Sequence, residues 1–189
     1  MRLLRDSSME NQAFRRRRSM NMPLWWTRKD VPQAVEWSEA VEDTAVAALY
    51  ARLKGLCVTE AEALFASAGW GDWLDGMLFA PRCIFQYYIQ AIAAYLGSPQ
   101  AAGDYDAAAT FLVLINARER LEAGSVKAVR GSLQEVVEWL AVSPQRFSLR
   151  PEEQAELRSR AFRVFQSWGV RMKDRQAVMP ENRRPHAPG

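Results

Sequence analysis

Apolar residues in this chain recur at steps of three and four, and most runs of them are closed by a glycine or a proline. That spacing places side chains on one face of an α-helix, and the punctuation marks where each helix stops. Ala34, Ser38, Val41, Ala45, Ala48, Leu49 and Leu53 form one such stripe. With Asp30 as N-cap, Pro32 in the first turn and Gly55 just past the end, they predict a helix over residues 31–54. Thr59 and Glu62 have capping-box spacing and open a second helix that carries Leu64 and Phe65 inward and stops near Gly69. Residues 70–76 read as a tight turn with one short helix capped by Asp72.

The second half repeats the logic. Pro81 opens a third helix that lasts to Gly97, with Ile84, Phe85, Tyr88, Ile89, Ile92, Tyr95 and Leu96 on a broad apolar face. Asp104 caps a fourth, which ends at Gly124. Ser125 caps a fifth with Val126, Val129, Leu133, Val136, Val137 and Leu140 inward, closed by Pro144. Pro151 opens a sixth, with Glu152 and Glu153 where the helix dipole favours them. Its packing face is Leu157, Ala161, Phe162, Val164, Phe165 and Trp168, and Gly169 stops it. No strand-type alternation bounded by hairpin turns occurs, and no internal period. The expected fold is all-α: a single compact domain of about six helices over residues 23–170, as an antiparallel bundle or an orthogonal helical array. Residues 1–22 are expected to be a disordered basic arm, and residues 171–189 a disordered basic tail.

Hydrophobic residues make up 49% of the 189, enough for a core that needs no disulfide or metal. Cys57 and Cys83 are therefore expected as reduced, packed thiols. The most apolar stretches, 83–96 and 107–117, fall short of a membrane span, and the basic N-terminus has no hydrophobic run behind it. A cytoplasmic location is the expectation.

The net charge of +3 conceals two opposite regions. Residues 1–30 hold 8 basic and 3 acidic side chains, whereas residues 31–110 hold 3 basic and 10 acidic. The tails carry the basicity and the first half of the folded part is acidic.

Chemistry is thin. The one histidine, His186, lies near the C-terminus between two prolines, which leaves a helical body without a Ser/His/Asp triad, a Cys/His dyad or a His-ligated metal site. No glycine-rich phosphate loop occurs, so no cofactor is implied.

Three functional readings follow. The first is a non-enzymatic protein that binds another protein with a basic surface through its acidic half. One concrete form is an acidic inhibitor, of the immunity type, that neutralises a basic toxin domain. Its candidate interface is Glu36, Trp37, Glu39, Glu42, Asp43, Asp72 and Asp75. A concentrated negative field speeds encounter with a basic partner, and a tryptophan at the edge of an apolar stripe suits an interface anchor. The second is nucleic-acid binding by the arm, with Arg15, Arg16, Arg17, Arg18 and Arg28 on phosphates and Trp25 and Trp26 stacking. The third is a histidine-free enzyme in which Asp72 and Asp75, flanked by Trp70 and Trp73, act as a carboxylate pair.

Overall fold

The computed structural model describes residues 30–38, 41–67 and 69–169, with Asp72 by its backbone only. Eight α-helices and no strand occur among the described residues. They are α1 (Ala34–Trp37), α2 (Thr44–Leu53), α3 (Val58–Phe65), α4 (Gly71–Phe79), α5 (Arg82–Gly97), α6 (Tyr105–Leu121), α7 (Arg130–Val142) and α8 (Pro151–Ser167). Short 3-10 turns at Pro99–Ala101 and Pro144–Arg146 follow α5 and α7. The expected all-α class holds, with more helices than six.

The extra elements arise at the chain's front. The helix expected over 31–54 is two, and the reason is local. Ser38 turns its hydroxyl back onto the Val35 carbonyl at 2.7 Å. Asp43 accepts from the amides of Ala45 and Val46 at 2.8 and 3.1 Å, starting a new helix in place of continuing the old one. Gln33, not Asp30, is the N-cap of α1. The predicted stripe breaks accordingly: Leu49 and Leu53 are buried, while Ala34, Ser38 and Ala48 are exposed. The N-cap of the second helix is Cys57, two residues before the predicted Thr59, with Glu60 accepting from the Cys57 amide at 2.8 Å. Residues 70–76 belong to a full helix that starts ahead of Asp72. The fifth helix starts at Arg130, because residues 125–129 are turns whose Val126 and Val129 are nonetheless buried.

Helix α5 is the spine. Twelve of its sixteen residues are buried, and it packs against α1, α3, α6 and α7. Side-chain contacts fix the directions of its neighbours. Tyr95 near the end of α5 meets Asp104 before α6, and Arg82 at its start meets Glu122 after α6, so the two run antiparallel. Trp70 also meets Asp104, and Arg118 of α6 donates to the Leu78 carbonyl of α4, so α4 runs parallel to α6. Helices α2 and α4 are antiparallel and pressed close. A methyl group on Gly76 would lie 2.8 Å from the Ala45 carbonyl oxygen, while at the other end Arg52 sits 5.0 Å over the Trp73 ring. Arg130 at the start of α7 lies 5.3 Å over Trp168 after α8, which makes that pair antiparallel too.

The predicted termination signals are observed at Gly55, Gly124 and Gly169, each at positive φ. Asp104 caps α6 as predicted, accepting from the Ala107 amide at 2.9 Å. Phe162 departs from its predicted inward position and is 45% exposed. Among the described residues no helix is long and apolar enough to cross a membrane.

Candidate functional site

The acid-bearing elements converge on one end of the bundle. The Gly76–Ala45 contact sets Asp75 of α4 beside the first turn of α2, where Glu42 and Asp43 stand. Helix α4 ends at Phe79 and α5 begins three residues later, with the Cys83 thiol near enough to Glu36 of α1 to feel its charge. The end of α6 joins through two contacts of Arg82 and Arg118 with Glu122, at 2.6 and 2.7 Å. One pole therefore gathers α1, the start of α2, the end of α4, the start of α5 and the end of α6.

The candidate acids have different employment there. Glu36 accepts from the Gln33 amide at 2.7 Å, and Asp43 caps α2, so both are structural. Glu42 and Asp75 are exposed and make no hydrogen bond or ion pair with a described residue. Glu39, Arg15, Arg16, Arg17, Arg18 and Arg28 lie outside the described residues, as do the predicted disordered segments 1–22 and 171–189.

Trp37 is a correction. It is 0% exposed, tilted against Tyr50 at 5.2 Å and Tyr88 at 6.1 Å between ring centroids, and is not a surface anchor. The break between α1 and α2 rotates it into the core and turns its neighbour Val35 outward, at 76% exposure. Phe79 is 54% exposed and Leu121 60%, and both belong to the same pole. Sequence periodicity missed all three, because helix ends are where a stripe ceases to dictate which side chains are covered.

The tryptophans flanking the proposed carboxylate pair also face inward. Trp70 is stacked on Phe65 at 5.9 Å, Trp73 meets the same ring edge-on at 4.8 Å, and both are buried. Neither offers a face on which a sugar could stack beside Asp75. A hollow of about 280 Å³ between α2 and α4 is lined, among the described residues, by Ala48, Leu49, Arg52 and Trp73. No group of three histidine, cysteine or acidic residues that could hold a metal ion occurs among the described residues.

Electrostatics at the pole oppose nucleophilic chemistry. Burial pushes the Cys83 thiol above its usual range, and the neighbouring Glu36 carboxylate raises it further, so the thiolate is disfavoured. Arg118 is the charged group of the core. Buried at 6% exposure, it is held by the Leu78 carbonyl and Glu122, and its guanidinium lies 5.4 Å over Phe85. It fixes the ends of α4 and α6 to each other.

Comparison with protein-family models, with curated proteins and with solved structures gave no match.

Proposed function

We propose that this protein acts by binding another protein, one with a basic surface, through the pole formed by α1, the start of α2 and the end of α4. The observation that carries this reading is a juxtaposition. Exposed Val35 and Phe79 share one end of the bundle with the carboxylates of Glu42 and Asp75, which have no partner among the described residues. Apolar side chains surrounded by charge have the anatomy of a recognition surface: the apolar groups supply burial and the charges select and steer the partner. The basic side chains at this pole, Arg82 and Arg118, are paired with Glu122, and Arg52 and Lys54 stand at the far end of α2. An inhibitor that occludes a basic functional surface is the concrete form this chemistry suits.

Capture of binding proteins by the full chain, with Phe79→Ser in parallel, tests the reading. A basic protein retained by the wild type and lost from the variant supports it. Equal retention by both removes the pole from the interaction.

A further inference from the structure

We propose that residues 31–38 form a detachable strap, plugged into the domain by Trp37, that opens as a unit while the rest of the fold stays intact. Of these residues, Val31, Pro32 and Trp37 are buried, and the others are exposed. Among the described residues, the strap's side-chain hydrogen bonds are internal. Gln33 bonds the Val31 carbonyl and, through its amide, Glu36, while Ser38 bonds Val35. Outward, Glu36 reaches only the half-exposed edge of the domain at Cys83.

Among the described residues, the Trp37 side chain is held by ring packing against Tyr50 and Tyr88. Trp37 Nε1 is buried without an acceptor, so its closed position carries an unsatisfied donor that water would satisfy on opening. Trp37 also differs from its socket in how it is secured. The Tyr88 hydroxyl donates to the carbonyl of Leu53 at 2.6 Å and lies 3.2 Å from that of Leu56, so one wall is fixed to the end of α2 without help from the strap. Tyr50, the other wall, belongs to α2, which is braced by the close approach of Gly76. The socket therefore keeps its shape when the plug leaves. Opening would carry Val35 and Glu36 away from the pole and uncover an aromatic slot between Tyr50 and Tyr88. The opening itself does not depend on the binding reading, and its test reads no binding.

Two reporters read the strap's position. The Trp37 indole N–H is reachable by solvent only when the side chain leaves its socket, and the Val41 amide is bonded to the Trp37 carbonyl at 3.2 Å. Hydrogen exchange of the full chain by NMR, with the indole signal assigned through Trp37→Phe, measures both. The expected result is one common protection factor for the two, roughly a hundredfold or more below that of the α5 amides and nearly independent of low urea. Exchange of both at the α5 rate, with the urea dependence of global unfolding, would overturn the proposal. So would a Val41 amide that exchanges while the indole stays protected, because the strap would then fray around a fixed plug.

Discussion

The Tyr95 hydroxyl donates to Asp104 Oδ2 at 2.7 Å, joining the last turn of the central helix to the cap of the helix that follows. The same oxygen accepts from Trp70 Nε1 at 3.1 Å, and Oδ1 accepts from the Ala107 amide at 2.9 Å. One carboxylate thus starts α6 and ties α4 and α5 to it.

Asp104→Ala removes all three bonds and leaves two buried aromatic donors unsatisfied, a loss of about 3 kcal/mol in urea-unfolding stability. Tyr95→Phe removes one bond and leaves the cap intact, a loss of about 1 kcal/mol. A neutral Tyr95→Phe beside a loss of only about 1 kcal/mol for Asp104→Ala would show that capping alone accounts for Asp104.

Gly76→Ala forces a methyl group against the Ala45 carbonyl and the Leu49 Cβ, at 2.8 and 3.0 Å. Backbone cannot yield as a flexible side chain can, so the expected cost is about 1–3 kcal/mol. Gly131→Ala, in open space near the start of α7, should instead gain about 0.5 kcal/mol by restricting the unfolded chain. Thermal melts of the two variants should move in opposite directions. A neutral Gly76→Ala would mean that α2 and α4 are not in close contact.

Alkaline pH should loosen the fold through its tyrosines. Burial lifts Tyr87 and Tyr105 from the ordinary value of 10.0 to about 12, and Tyr105 is helped by its bond to Glu156. Tyr88 and Tyr95 are raised further, chiefly by burial, with Asp104 adding to Tyr95. A raised folded-state value means that the stabilisation is complete below the unfolded value. It is lost as pH climbs from there through the folded values, because the unfolded chain releases its phenolic protons first. Ultraviolet phenolate titration of the native protein should therefore show these four ionising well above pH 10, coupled to unfolding. Ordinary titration without loss of structure would contradict their burial.

Much of this architecture is legible in the sequence where one residue decides a local event. Pro81, Asp104, Pro151 and the glycines at positions 55, 124 and 169 act where their chemistry places them. The front of the chain is less legible, because two local signals compete there. The stripe from Ala34 to Leu53 suits a single helix, yet Asp43 offers a cap inside it and the burial of Trp37 favours the break. The candidate site shares that weakness. Acid enrichment is visible in the composition, but the employment of each acid is not: Glu36 and Asp43 are consumed by capping, and Glu42 and Asp75 have no partner among the described residues. The meeting of Asp75 with the start of α2 rests on Gly76, whose close approach is a tertiary fact that no local pattern announces.

In the proposed function, Glu42 and Asp75, exposed and without a partner among the described residues, select a basic partner. Glu42→Lys combined with Asp75→Lys tests it most directly, because both side chains lie outside every cap and the fold should survive. The measurement is affinity for a captured partner across a range of salt concentrations, wild type beside the double variant. The account predicts binding at least about tenfold weaker at low salt in the variant, with a flatter salt dependence. Unchanged affinity and an unchanged salt slope would contradict it.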